Sequence, residues 1–133
     1  MNTPVTEQDY SHDIIGAAIE VQRELGVGLL ESVYGAALEI ELTERKLKFV
    51  RDASVNAWYK DKPLGLAFRA DFIVEDSTIV QVKAFEATDA TTEQHRAYML
   101  SFLRLADLKL GLVLNFHAAP IATKGISRLF NKY

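Results

Sequence analysis

Two short segments of this 133-residue chain set chemistry-bearing side chains at matched parity. In Arg69-Ala70-Asp71-Phe72-Ile73-Val74 and Ile79-Val80-Gln81-Val82-Lys83-Ala84, the even positions are apolar, and the odd ones include Arg69, Asp71, Gln81 and Lys83. Side chains alternate faces along a strand, so a hairpin built from these segments carries one apolar face and one polar face. Asp71 and Lys83 share a face only if the connecting loop has an odd number of residues, a common hairpin arrangement. The expected register sets Asp71 opposite Lys83, with Gln81 as the diagonal neighbour. A carboxylate beside an amide oxygen can hold a hard divalent cation such as Mg²⁺. The cation polarises a phosphoryl oxygen and acidifies a bound water, and a lysine nearby stabilises the developing negative charge. The same spacing also fits an exposed hairpin face with a cross-strand Asp–Lys ion pair, worth little to stability. On spacing alone that is the commoner arrangement, since structural ion pairs are frequent.

The elements around this hairpin follow from periodicity. Ile14, Ala17, Ala18, Val21 and Leu25 form one stripe of a helix expected over about Glu7 to Leu25, stopped by Gly26-Val27-Gly28. A second helix fits Leu30 to about Lys46, with Val33, Ala37, Leu38, Ile40 and Leu42 as its apolar residues and Glu31 in its first turn, where the dipole favours a carboxylate. From Phe49 to Phe85 the period becomes two. A turn is expected at Asp61-Lys62-Pro63, and strands Gly65 to Val74 and Ile79 to Phe85 are joined at Glu75-Asp76-Ser77-Thr78. A third helix fits Thr92 to Ala106, capped by Thr91 or Asp89. Leu110 to Phe116 reads as a strand buried on both faces, and Ile126 to Phe130 as a short edge strand. The order α-α-β-β-β-α-β describes an α/β (α+β) chain with a mixed sheet flanked by helices, expected to form one domain over 1–133.

Composition narrows the chemistry. The chain has no cysteine, which excludes disulfides, thiolate metal sites and cysteine nucleophiles. Hydrophobic residues at 49% and charged residues at 25% are ordinary globular usage. Met1 to Tyr10 is polar and has no apolar run of a secretory signal, and no stretch is long enough to span a bilayer, so a cytoplasmic protein without membrane contact is expected. The net charge of −3 argues mildly against tight non-specific DNA binding. Arg45, Lys46, Lys48 and Arg51 cluster locally, and a solvated helix end accounts for them better than a phosphate track.

Gly28-Leu29-Leu30-Glu31-Ser32-Val33-Tyr34 matches the signature of the GxxExxY family, placed in the PD-(D/E)XK nuclease-like superfamily. The resemblance continues through the two hairpin segments, Leu110 to Phe116 and Lys124-Gly125-Ile126, in order and over nearly the whole chain. It implies an αβββαβ core and a hydrolase acting on nucleic acid with Mg²⁺ or Mn²⁺. It implies Asp71 as the main metal ligand, position 81 as the second, Glu31 as the helix-borne acid completing or supporting the metal site, and Lys83 as the catalytic lysine. Two positions depart from the pattern. Position 81 is Gln where the family has Glu, which removes a charge and lowers cation affinity. In the third helix, the His, Gln and Tyr that resemble RecB-like nucleases are here His95, Tyr98 and Phe102. These departures support a second reading, a catalytically degenerate nuclease fold that binds or scaffolds. A third reading is one half of a homodimer or a larger protein complex.

Taken singly, several of these residues have plainer readings. Tyr34 suits packing with a hydrogen-bonded hydroxyl. His95 suits a partly buried structural histidine, Arg69 either a phosphate contact or an ion pair, and Asn115 a hydrogen bond to the turn after its strand. Tyr98 either covers the site or stacks on a base. His12 and His117 have no partner at metal-ligand spacing.

Overall fold

A computed structural model of the chain describes residues 9–132. Helices α1 (Ser11–Leu25) and α2 (Glu31–Glu44) precede strands β1 (Phe49–Tyr59), β2 (Lys62–Val74) and β3 (Thr78–Lys83). Helix α3 (Asp89–Ala106), strand β4 (Leu110–Asn115), the short helix α4 (Ile121–Lys124) and strand β5 (Ile126–Phe130) follow. The sheet order is β1-β2-β3-β4-β5, with β3 and β4 parallel and every other pair antiparallel. The expected α-α-β-β-β-α-β order and mixed sheet are present, with α4 added before the tail strand. The expected start of α1 at Glu7 lies outside the described residues.

Two cores flank the sheet. Ile14, Ala17, Val21, Tyr34, Leu38 and Leu42 from α1 and α2 pack on Phe72, Val74, Val80, Val82, Leu112 and Leu114. Met99 and Leu103 of α3 pack on the other face, against Ala53, Val55, Phe68, Ala70, Ile79, Val113 and Leu129. Strands β3 and β4 are thus covered on both faces, which is why Leu110 to Asn115 is apolar nearly throughout. Leu25, Val33 and Ile40, expected within the helical stripes, are exposed; Tyr34 and Gly35 take the inward positions of α2 instead. At the end of α1, Gly26 has φ 74 and its N–H donates to Gln22 O, as a helix stop requires. Gln22 also crosses to the loop after β4: its Nε2 donates to Phe116 O and Ala118 O, and its Oε1 accepts from Ile121 N.

The cap of α3 is Thr88 rather than Thr91 or Asp89. Thr88 and Thr91 form a reciprocal capping box, so the helix begins earlier than the apolar period suggests. The turn of the long hairpin also differs. Lys60 and Asp61 both have positive φ, at 50 and 63, and β2 already starts at Lys62. Pro63 fits inside β2 because its neighbour β3 pairs only with Phe72 to Val74, leaving that edge free.

The even-numbered apolar face expected through Ala70, Phe72 and Val74 is not continuous. Phe72 and Val74 face the α1–α2 core, whereas Phe68 and Ala70 face α3. Strand β1 changes face at the same level, since Phe49 packs on the first core and Ala53 and Val55 on the second. The pairs Arg51↔Phe72 and Ala53↔Ala70 bracket the crossing, which therefore falls at Asp52 and Asp71. Asp52 is left-handed there, with φ 53, a conformation that Asp tolerates better than most residues.

Candidate functional site

The loop Glu75-Asp76-Ser77 between β2 and β3 has the odd length the parity argument required. The register does not follow the expected one. Phe72 stands opposite Val80, so the next position sets Asp71 opposite Gln81 and leaves Lys83 on the diagonal. The backbone ladder stops at Phe72 and Val80, and two side chains replace its next bonds. The Asp71 N–H donates to Gln81 Oε1 at 2.6 Å, and the Val82 N–H donates to Asp71 Oδ2 at 2.6 Å. Gln81 Nε2 reaches Arg69 O at 3.5 Å, and the residue is only 7% exposed. Asp71 and Gln81 therefore do not lie on an exposed hairpin face. They are wedged where β2 and β3 part.

Helix α2 brings Glu31 to the same place. Its first turn points at the end of β3, and Glu31 Oε2 accepts the Ala84 N–H at 3.2 Å. The entry to α2 is fixed by Tyr34, which is fully buried and stacks on Phe116 with centroids 4.7 Å apart. Its hydroxyl donates to Gly26 O at 2.6 Å and accepts from Leu29 N at 3.3 Å. On the far side of β3, Asn115 Oδ1 accepts from Phe85 N and His117 N, and its Nδ2 donates to Phe85 O. Asn115 thus bonds the following turn, as expected, and also holds the segment leaving Lys83.

Glu31, Asp52 and Asp71 line one cavity of about 230 Å³, together with Ser32, Gly35, Arg51, Phe72 and Val82. Burial pushes the Asp71 carboxyl above the usual carboxylate range; the charges of Glu31 and Asp52 add to this, and the Val82 N–H and Lys83 oppose it. Burial pushes the His95 imidazole down, Lys83 adds to this, and Glu31 opposes it. Lys83 is therefore within electrostatic reach of both Asp71 and His95.

The other expected site residues are spread more widely. His95 packs on Phe85, centroids 4.6 Å apart, and borders a separate cavity of about 30 Å³ with Asn115 and Lys124. Tyr98 is exposed, accepts a hydrogen bond from Gln94 Nε2 and does not line the acidic cavity. Phe102, which stands where the related pattern has Tyr, stacks on Phe68 within the α3 core. Arg69 is exposed on β2 opposite Ser54. Of the basic cluster, Arg45 closes α2 and pairs with Glu41, as the helix-end reading expects, whereas Arg51 lies in β1, pairs with Glu39 and lines the cavity. Asp52 was not anticipated. Its only signal in sequence is the broken alternation between Phe49, Arg51 and Ala53.

These donors suit a hard cation. Asp71 and Glu31 each spend one oxygen on a backbone N–H, leaving Asp71 Oδ1 and Glu31 Oε1 for a further partner. Among the described residues, no three His, Cys, Asp or Glu side chains are gathered so as to hold a metal ion by themselves. Mg²⁺ is commonly held by one or two carboxylates, with water and substrate phosphate completing its shell, so two carboxylates are an adequate donor set. Among the described residues, no helix is long and apolar enough to cross a membrane.

No curated protein and no solved structure matches the chain. The family model for the PD-(D/E)XK nuclease superfamily matches residues 8–129, a span that takes in every element bearing on the cavity. The chain therefore belongs to the PD-(D/E)XK nuclease superfamily.

Proposed function

We propose that this chain is a divalent-cation-dependent phosphodiesterase that hydrolyses nucleic acid. The observation that carries the reading is the half-buried Asp71 carboxyl, whose charge is opposed by desolvation and by Glu31 and Asp52 at one cavity, with Lys83 in electrostatic reach. Such a carboxylate gains from a bound cation, and perturbed carboxyls in clefts mark functional sites. Asp71 and Glu31 would hold Mg²⁺ or Mn²⁺, which when bound polarises the phosphoryl group and acidifies a water. Gln81 orients Asp71 through its backbone. Lys83 steadies the water and the charge gathering on the phosphate oxygens. Water gives up a proton to solvent as it adds to phosphorus, the P–O bond to the leaving sugar oxygen breaks, and that oxygen takes up a proton from solvent. His95 packs on Phe85 in the segment that leaves Lys83, Tyr34 sets the start of α2, and Arg69 and the exposed Tyr98 are available to the nucleic acid. The test is cleavage of labelled DNA and RNA with Mn²⁺ or Mg²⁺. Cleavage abolished by Lys83→Ala and by Asp71→Ala is expected, and cleavage unchanged in Lys83→Ala would overturn the assignment.

One observation favours a second reading, a nuclease fold that binds without cutting. The Gln81 amide is engaged at both ends, by Asp71 N and Arg69 O, as a structural clasp would be. Calorimetric titration with Mn²⁺ separates the two readings. Binding by the intact protein that is lost in Asp71→Ala supports hydrolysis. Binding only after Gln81→Glu supports the non-cleaving module.

A further inference from the structure

Beyond Asp52 and Asp71, strands β1 and β2 run on without β3 beside them, since β3 pairs with β2 only over Phe72 to Val74. The result is a two-stranded arm ending at Lys60 and Asp61. Direct cross-strand partners share a face, and faces alternate along the pair. Ala53↔Ala70 and Val55↔Phe68 pack toward α3. Ser54↔Arg69, Asn56↔Leu66 and Trp58↔Pro63 therefore look the other way, to the side of the sheet on which α2 and the acidic cavity lie. This face is open, with Trp58 65% exposed, whereas Tyr59 and its partner Lys62, one step on at the tip, look to the opposite side. Lys60 Nζ sits 5.4 Å from the Tyr59 ring centroid.

Exposed rings among cations are what a single-stranded nucleic acid requires, bases stacking on the rings and phosphates meeting the cations. The local charge agrees. Residues 54–69 carry Lys60, Lys62 and Arg69 against Asp61 alone, in a chain whose net charge is −3. A second copy of the chain added to the edge of β1 is disfavoured by the same features. The register shifts at Val55/Asn56 and Ala57/Trp58 twist the pair, and lysines at a strand end discourage edge-to-edge addition. Arg69 is two residues from Asp71 on the same strand, and the partner of Trp58 is roughly 25 Å from Asp71 at an ordinary strand rise. A strand lying on the arm thus leads to the cavity.

We propose that the β1–β2 arm is a docking track for single-stranded nucleic acid, with Trp58 as its stacking platform, Arg69 as the phosphate contact on the same face, and Lys60 and Lys62 supplying positive charge at the tip. It rests on the reading of this chain as acting on nucleic acid, and it adds a site remote from the chemistry. Trp58 is the only tryptophan, so intrinsic emission reports on the arm alone.

The experiment is a titration of the intact protein with a thymidine 20-mer in EDTA, following both Trp58 emission and anisotropy of a labelled oligonucleotide. Saturable quenching that weakens steeply with salt is expected. Trp58→Ala, followed by anisotropy, and Lys60→Glu/Lys62→Glu should each weaken binding about tenfold or more. Binding with unmoved emission overturns the proposal. So does no binding at low salt, or an emission shift that follows protein concentration alone, the mark of two copies meeting through the arm. The same titration of Asp71→Ala keeps the two assignments apart. Quenching retained in Asp71→Ala, with no Mn²⁺-dependent cleavage by the intact protein, upholds the arm and ends the hydrolase reading. Asp71-dependent cleavage with unmoved emission does the reverse.

Discussion

Gln81 Oε1 accepts the backbone N–H of Asp71 at 2.6 Å, one step past the last backbone pair of the β2–β3 ladder. The amide therefore does what a ladder carbonyl would do, while its Nε2 leans toward Arg69 O. A glutamate at this position could accept from Asp71 N but could not donate to Arg69 O. It would also add a third like charge to those of Glu31 and Asp52 acting on Asp71. Gln81→Glu is expected to lower stability in EDTA by roughly 1–2 kcal/mol, from the lost donor and the repulsion together. Mn²⁺ should recover much of that loss by binding the folded state. Urea unfolding with and without Mn²⁺ reads both effects, and an unchanged midpoint in EDTA would show that the clasp contributes nothing.

Asp71 also sets a pH dependence. Its folded pKa lies above the ordinary carboxylate value, chiefly through burial. Between those two values the native state holds a proton that the unfolded chain has released. Stability contributed by this group is therefore greatest at acid pH and falls as pH rises through that window. Asp71→Asn removes the titration while keeping an acceptor for Val82 N–H. At neutral pH the variant is expected to be more stable than the parent by up to about 1 kcal/mol, since partial solvent access screens the effect. The stability difference between parent and variant, followed by thermal melts, should shrink toward acid pH. A difference that grows on acidification would contradict the sign.

Much of this is legible in the amino-acid sequence itself. The parity of Asp71, Gln81 and Lys83, the odd loop and the position of Glu31 in the first turn of α2 all follow from local periodicity. The register is not local. Whether Asp71 faces Gln81 or Lys83 depends on which loop residues turn, and Thr78 joins β3 rather than the loop. The exchange of faces at Asp52 and Asp71 was hidden for a related reason. Ala70 and Phe72 are both apolar and both even, so nothing in hydropathy distinguishes a residue facing α3 from one facing α2. Only Asp52, left-handed within a strand, carries a trace of the crossing.

Tyr34 illustrates how a packing residue can govern a site it does not line. Its ring lies on Phe116, and its hydroxyl ties Gly26 and Leu29, the turn that delivers Glu31. Tyr34→Phe keeps the ring and removes the bonds, leaving Gly26 O without that donor. A loss of about 1–2 kcal/mol is expected. Amide exchange should quicken at Leu29, with little change in the core amides of β3 and β4. Exchange that quickens evenly across the molecule would mean that the hydroxyl supports the whole fold and not this turn.

The face of β4 under α3 offers the sharpest packing test. A Cβ on Gly111 would sit 2.5 Å from Met99 Sδ, 2.7 Å from Met99 Cγ and 3.3 Å from Leu103 Cδ1. Met99 and Leu103 are both fully buried, so the helix has little room to yield, although a methionine side chain adapts better than most. Gly111→Ala is expected to cost about 1–3 kcal/mol through overpacking. The cause can be isolated by a double-mutant cycle with Met99→Ala, which opens the space the new methyl group needs. Met99→Ala alone should be destabilising, and the two changes together should cost less than their sum by at least about 0.5 kcal/mol. Strict additivity in urea unfolding would mean that α3 moves away from β4 as a unit, and that Met99 is not what holds position 111 to glycine.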